Sequence, residues 1–205
     1  MRRTGCFFKR PVRLLLGVFL LVWSLGAWAE APLELAAREL RNFRFYEAAN
    51  LAHDLSGFPA RAIEIQALAE SDRVGDAWKA LRTLPASSRE EALFYVLRGE
   101  LNGMRGDKET TVKNFEEALQ RQPAKTFLTL CRFSIALSRC KEMELARQKW
   151  LEALQLSGGS DLTRDEFLAA QWAQAWLALY SAEPWQAFAP LASLEETYRD
   201  QPGGL

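Results

Sequence analysis

Residues 92–123 read ALFYVLRGELNGMRGDKETTVKNFEEALQRQP, and residues 127–158 match this pattern 35 positions later as FLTLCRFSIALSRCKEMELARQKWLEALQLSG. Large apolar residues align with large ones, as Phe115 does with Trp150, and small residues align with small ones, as Gly99 does with Ser134. A period of about 20–50 residues is typical of stacked helical hairpins, each of which buries its apolar face on the next. The spacing therefore predicts an all-α repeat protein and favours a binding scaffold over an enzyme.

The rest of the chain after residue 30 is also predicted to be helical. Good helix formers dominate it, and no stretch alternates apolar and polar residues over the length of a strand. Turn residues at regular intervals divide it into ten helices, which paired in order give five hairpins. The predicted helices are 32–43, 46–56, 59–71, 74–84, 88–104, 108–121, 125–138, 142–156, 162–181 and 185–198.

Local motifs predict where several helices begin and how the hairpins align. Ser88-x-x-Glu91 and Thr163-x-x-Glu166 have the spacing of capping boxes, and Pro190 predicts that the last helix is kinked or starts late. In the earlier hairpin 59–84, Ala77-x-x-Ala80 followed by Pro85 matches Phe115-x-x-Ala118 followed by Pro123.

The central region resembles the tetratricopeptide repeat family. The family pattern is matched, at the right spacing, by Tyr95, Gly99, Phe115, Ala118 and Pro123, and in the next copy by Ser134, Ala146, Trp150 and Ala153. Thr111 departs from the pattern, because an alanine is expected there. The resemblance implies a right-handed α-solenoid of about five antiparallel hairpins over residues 30–198. The repeats that match best are 92–123 and 127–157, and the tail 199–205 is expected to be disordered.

The resemblance also implies a groove, lined by the first helix of each hairpin, that accepts an extended peptide or a partner helix. Carried onto this chain, the groove residues are Leu93, Val96, Glu100, Leu128, Cys131, Ile135 and Arg139. The alternative is that Leu93, Val96, Leu128 and Ile135 belong to the apolar core, and the sequence supports the two interpretations about equally.

The N-terminus is predicted to be a signal peptide over residues 1–29. Basic residues precede an apolar run from Leu14 to about Leu25, and Ala27-Trp28-Ala29 then supplies the small-x-small pattern of a cleavage site. The expectation is export to the periplasm. An uncleaved segment that anchors the chain in the inner membrane is the alternative, although the apolar run is short for a span.

Charge limits the class of partner. The full chain has 26 basic and 26 acidic residues, and residues 1–29 contain five of the basic ones and none of the acidic ones. Cleavage would leave 21 basic against 26 acidic residues, a balance that disfavours binding to nucleic acid or to anionic lipid. The expected partner is therefore a protein or peptide, with no nucleic acid and no membrane contact after cleavage.

We predict no catalytic, cofactor-binding or metal-binding site from the sequence. His53 is the only histidine, and its neighbour Asp54 points about 100° away on a helix. Neither a Gly-x-Ser-x-Gly motif nor a Cys-x-x-Cys pair is present. An enzyme acting on cell-wall material is one alternative, with Glu100 as its candidate acid, and a membrane-anchored accessory subunit of a secretion or assembly complex is another.

Two further features have two interpretations each. Leu168, Trp172, Trp176 and Tyr180 recur every fourth residue and predict either a core seam, which is favoured, or an exposed aromatic strip for a partner or a sugar. Cys131 and Cys140 are about 13.5 Å apart along one continuous helix, which favours free thiols over a disulfide.

We expect N-terminal sequencing of the protein recovered from its native host to begin at Glu30, because signal peptidase cleaves after small-x-small. Recovery of a chain that still begins near Met1 in the membrane fraction would instead support the uncleaved anchor.

Overall fold

The computed structural model of the chain describes residues 31–121, 126–157, 162–181 and 183–199, and within these ranges the protein is all-α, with no strand. The all-α prediction is confirmed, and each predicted helix has a counterpart. The helices are α1 Pro32–Arg41, α2 Phe45–His53, α3 Phe58–Glu70, α4 Val74–Arg82, α5 Ala92–Met104, α6 Lys108–Arg121, α7 Thr126–Arg139, α8 Met143–Ser157, α9 Arg164–Leu179 and α10 Phe188–Arg199. The predicted signal peptide and the tail beyond Arg199 lie outside the described residues.

The observed starts of three helices can be compared with the two predicted capping boxes and with the prediction made from Pro190. Thr163 and Glu166 form the predicted capping box, with the Thr163 N–H donating to Glu166 Oε2 at 3.0 Å and the Glu166 N–H donating to Thr163 Oγ1 at 3.4 Å. The Ser88 capping box is wrong, because Ser88 lies inside a short 3-10 helix, Ala86–Glu90, and extended backbone at Glu91 separates that helix from α5. The last helix starts late, at Phe188, so that Pro190 falls in its first turn, where a missing N–H breaks no helical bond.

One turn structure recurs after α1, α3, α5 and α7. In each turn, the residue two positions beyond the end of the helix has a positive φ. The N–H of this residue and the N–H of the following residue both donate to carbonyl oxygens at the end of the helix, which is the Schellman pattern. The positive-φ residues are Phe43 (59°), Asp72 (63°), Gly106 (73°) and Lys141 (64°). The longer bonds of the motif run from Arg44 N to Glu39 O (2.9 Å), Arg73 N to Leu68 O (2.9 Å), Asp107 N to Asn102 O (3.1 Å) and Glu142 N to Leu137 O (3.0 Å).

These turns align four hairpins residue by residue. Five residues beyond each positive-φ position the chain has Ala48, Ala77, Thr111 or Ala146, and all four are fully buried. The alignment corrects one sequence match, because Ala77 corresponds to Thr111 and not to Phe115, which lies one helical turn further along. The expected pairing of Ala77 with Phe115 was wrong because it relied on spacing to a proline rather than on the turn.

The helices pack in two ways. Each helix packs on the next one along the chain, and the odd-numbered helices α1, α3, α5, α7 and α9 also contact one another in order. Contacts between successive even-numbered helices are at most marginal in the part of the chain that the structure describes. The odd-numbered helices therefore form a common layer, and the even-numbered helices pack on this layer rather than on one another.

Two glycines of α5 allow close helix contacts. A Cβ at Gly99 would lie 2.7 Å from the Phe115 ring of α6, and a Cβ at Gly103 would lie 2.9 Å from both the Cβ and the carbonyl oxygen of Ala136 on α7. Phe115 has no room to retreat, because it is fully buried and stacked on Phe133 with ring centroids 4.6 Å apart. Gly99 thus sets the packing within one hairpin, and Gly103 sets the packing between hairpins.

In both central hairpins a hydroxyl lies at the contact between the two helices, but it comes from opposite helices. In the first, Thr111 Oγ1 of α6 donates to the Asp107 carbonyl at 2.6 Å and lies 3.4 Å from the Gly99 carbonyl of α5. In the second, Ser134 Oγ of α7 donates to the Ala146 carbonyl of α8 at 2.8 Å. Thr111 and Ala146 are equivalent positions, as are Gly99 and Ser134, so the departure at Thr111 is a second solution to the same contact.

We expect Gly99→Ala to lower the free energy of unfolding by about 1–3 kcal/mol, because the added methyl overlaps a ring that cannot move. Gly75→Ala on α4 is the matched control, since a Cβ there meets nothing within 4 Å and alanine favours the helix. Urea unfolding measures both. A Gly99→Ala protein as stable as the wild type would contradict the packing described for this hairpin.

Candidate partner-binding face

The predicted groove residues lie on α5 and α7, the third and fourth odd-numbered helices. Leu93, Leu128 and Ile135 are half-buried and pack at the edges of the core clusters, whereas Glu100 and Arg139 are ion-paired. Val96 and Cys131 are buried. The structure therefore brings the seven residues onto neighbouring helices but places them at different depths.

Val96 and Cys131 form part of the core beneath the face. Val96 packs in the cluster that contains Phe115 and Phe133, and Cys131 packs in the cluster that contains Phe127 and Leu130. Burial and, to a smaller extent, the nearby charge of Glu166 raise the pKa of the Cys131 thiol to about 12. Below that pH the thiol is protonated and behaves as a small apolar side chain.

Glu100 forms a two-pronged ion pair with Arg132 of α7. Arg132 Nε donates to Glu100 Oε1 at 2.5 Å, and Arg132 Nη2 donates to Glu100 Oε2 at 2.6 Å. Burial lowers the pKa of the Arg132 guanidinium, but the charges of Glu100 and, to a smaller extent, Glu70 outweigh burial and raise the pKa. Both carboxylate oxygens of Glu100 are thus engaged, a geometry that suits a structural ion pair better than a proton donor.

Arg139 links three helices at its end of the face. Its Nη2 lies 3.1 Å from Glu70 Oε1 and 3.0 Å from Glu70 Oε2 at the end of α3, and its guanidinium lies 4.6 Å from the centre of the Trp176 ring of α9. Glu70, Glu100, Arg132, Arg139 and Trp176 therefore occupy one connected side of the odd-numbered layer, which we call the odd-helix face.

The aromatic residues of α9 are core at one end and surface at the other. Leu168 is buried, Trp172 and Trp176 are half-buried, and Tyr180 is 44% exposed. Tyr180 stacks on Trp176 at 5.5 Å, and Phe43, from the turn after α1, meets Trp172 edge-on at 5.2 Å. The core-seam interpretation therefore holds for Leu168, and the exposed-strip interpretation holds for Tyr180. The exposed end of this aromatic stripe adjoins the odd-helix face.

His53 forms a hydrogen bond with Glu64 of the next helix and not with its sequence neighbour Asp54. Its Nδ1 lies 2.7 Å from Oε1 of the buried Glu64 on α3, and Arg61 Nη1 lies 2.5 Å from Oε2 of the same carboxylate. The Arg61 guanidinium and the hydrogen bond with His53 thus compensate for the burial of Glu64. The His53–Glu64 pair crosses the α2–α3 turn, so helical spacing alone could not have identified it.

The remaining sequence candidates have these positions. Cys131 and Cys140 are free thiols, and Cys140 Sγ lies 3.9 Å from Thr111 Oγ1. No group of three or more His, Cys, Asp or Glu side chains in the described ranges is arranged to hold a metal ion. None of the helices that the structure describes combines the length and apolar character needed to cross a membrane.

Comparison of the chain with family models, with curated proteins and with solved structures gave no match.

We expect Arg132→Met to lower the free energy of unfolding by about 1–3 kcal/mol, because it leaves the half-buried Glu100 carboxylate without a partner. Arg132→Met combined with Glu100→Leu should recover most of that loss, since no unpaired charge remains. The measurement is the urea midpoint of each variant.

The control for this pair is Lys79→Met, which breaks an exposed contact with Asp76 on α4 and should leave the midpoint unchanged within error. An Arg132→Met midpoint equal to that of Lys79→Met would mean that the Glu100–Arg132 pair does not stabilise the fold.

Proposed function

We propose that the chain is a tetratricopeptide-like, right-handed α-solenoid of five antiparallel hairpins. Two observations support this proposal. The Schellman turn recurs in register after the first helix of four hairpins, and the odd-numbered helices contact each other in chain order. In a solenoid each repeat packs chiefly on its neighbours, which is the contact pattern of these helices.

We propose that its function is non-catalytic: the protein holds a partner peptide or partner helix against the odd-helix face. The observation that carries this proposal is that one side of a continuous helical layer combines half-buried apolar side chains with oriented ion pairs. Leu93, Leu128 and Ile135 offer apolar contact area, and Tyr180 adds an exposed ring near the Arg139 end of the face. Such a mixture of apolar surface and fixed polar groups suits recognition of a protein segment.

The aromatic end of the face would supply the anchor of the interaction. Large rings contribute much of the binding energy in protein interfaces when they are held rigidly. Tyr180 is stacked on Trp176, and Trp176 is in turn held under the Arg139 guanidinium. A partner side chain that packs on Tyr180 would therefore meet a preorganised surface.

We further propose that the protein is exported and works in the periplasm, with residues 1–29 removed as a signal peptide. The support is the basic, apolar and small-x-small order of that segment. The resulting acidic balance agrees with a protein partner and with the absence of a nucleic-acid role. Anchoring of the chain by an uncleaved segment, as part of a secretion or assembly complex, is the alternative location.

Selection of displayed random peptides against the purified protein tests the proposed binding directly. We expect enrichment of a sequence motif whose affinity falls about tenfold or more in Tyr180→Ala, because truncation removes an exposed anchor ring. Leu151→Ala on α8 is the matched control, since Leu151 is 45% exposed on an even-numbered helix, and it should bind as the wild type does.

Circular dichroism and thermal melting establish that both variants remain folded. The proposal fails if no peptide is enriched over repeated rounds, or if Leu151→Ala reduces binding as much as Tyr180→Ala does.

A further inference from the structure

Two contacts join hairpins that are not neighbours in the stack. Glu70, in the second hairpin, binds Arg139, in the fourth, although the two residues are 69 positions apart. Phe43, in the first hairpin, packs on Trp172, in the fifth. Both contacts lie beyond the neighbour-to-neighbour packing that holds the rest of the layer together. The stack is therefore curved enough for its first and last hairpins to touch.

The Glu70–Arg139 contact also reaches the fifth hairpin through Trp176. The guanidinium is held between the Glu70 carboxylate and the face of the Trp176 ring, so one side chain connects α3, α7 and α9. The Arg139 side chain is 11% exposed and that of Glu70 is 32% exposed. The contact is thus covered on the arginine side and open to solvent and ions on the glutamate side.

Helix ends and a glycine explain why the contact forms at this place. Glu70 is the last residue of α3, and Arg139 is the last residue of α7. Between them lies α5, whose Gly103 approaches the backbone of Ala136 so closely that a Cβ would be 2.9 Å from the Ala136 carbonyl oxygen. This close approach near the carboxyl ends of α5 and α7 shortens the distance that Glu70 and Arg139 must span.

We propose that Glu70, Arg139 and Trp176 form a clasp that holds the odd-helix face in a closed, strongly curved arrangement, and that breaking the clasp opens the face. The physical reason is that small rotations at successive hairpin interfaces add up along a stack, so a contact between distant hairpins controls the curvature. Two flexible side chains form the ionic part, and within the described residues no backbone hydrogen bond joins the end of α3 to the end of α7, so the clasp can open without unfolding a helix. The clasp belongs to the chain itself and does not depend on the proposed partner.

The charged part of the clasp predicts sensitivity to salt. Because the carboxylate is open to solvent, screening by ions weakens its attraction for the guanidinium. High salt is therefore expected to shift the wild-type protein toward the open arrangement. A variant without the charge on Glu70 should already be open and should respond little to salt.

Distance measurements by electron paramagnetic resonance test the clasp without a partner. Spin labels at Arg82→Cys on α4 and Gln174→Cys on α9, both exposed positions, report on the separation of the second and fifth hairpins. The native cysteines are first replaced, as Cys6→Ser, Cys131→Ala and Cys140→Ser. The wild-type distance distribution is expected to broaden and lengthen in 1 M NaCl, a concentration at which the Debye length falls to about 3 Å.

Glu70→Gln is expected to give the lengthened distribution at low salt. Exchanging the charges, with Glu70→Arg and Arg139→Glu together, should recover part of the short distance, because the ionic contact returns while the contact of a cation with the Trp176 ring does not. Glu117→Gln is the control, because it breaks an ion pair with Arg121 that lies within a single helix, and its distribution should be that of the wild type.

Circular dichroism confirms that the variants retain their helical content before distances are compared. A Glu70→Gln distribution identical to that of the wild type at low and high salt would overturn the clasp. An equal lengthening in Glu117→Gln would overturn it as well. Neither outcome bears on peptide selection, so the clasp and the proposed binding function fail separately.

Discussion

The packing of α7 is the constraint on which the rest of the structure depends. Every side chain from Phe127 to Cys140 is buried or half-buried, and α7 contacts α5, α6, α8 and α9. A helix covered on so many sides must present small or apolar residues almost everywhere, which explains Ser134, Ala136 and Ser138 among its large apolar side chains. Its two arginines remain possible because each meets a carboxylate from an earlier odd-numbered helix.

The repeat preserves contacts more faithfully than it preserves residues. Thr111 replaces an expected alanine, yet its hydroxyl lies against the Gly99 carbonyl, at the contact where Ser134 bonds from the opposite helix in the next copy. Likewise, glycine occupies the positive-φ turn position only once, at Gly106, while Phe43, Asp72 and Lys141 adopt the same geometry. A residue that favours φ below zero is tolerated there because two hydrogen bonds to the preceding helix hold the turn. A pattern of residue types therefore understates how regular the hairpins are.

Much of the fold, and less of the candidate site, could be predicted from the sequence. The helices of the described residues lie close to their expected positions because helical periodicity and turn residues are local signals. The expected groove residues Leu93, Leu128 and Ile135 lie half-buried on adjacent odd-numbered helices, but Val96 and Cys131 lie below them in the core. Periodicity says which side of a helix a residue occupies, whereas depth depends on how closely the next helix approaches.

The sequence by itself determined the helical class, the succession of helices in the described residues, the 35-residue register of the two central hairpins and the need for a small residue at Gly99. Only the tertiary structure decided which polar side chains pair: Glu100 with Arg132, Glu70 with Arg139, and Glu64 with His53. The physical reason is that these partners lie on different helices, up to 69 residues apart. Their meeting depends on the angle at each hairpin interface, and those angles arise from packing of the whole stack, as at Gly103 against Ala136, rather than from any local sequence pattern.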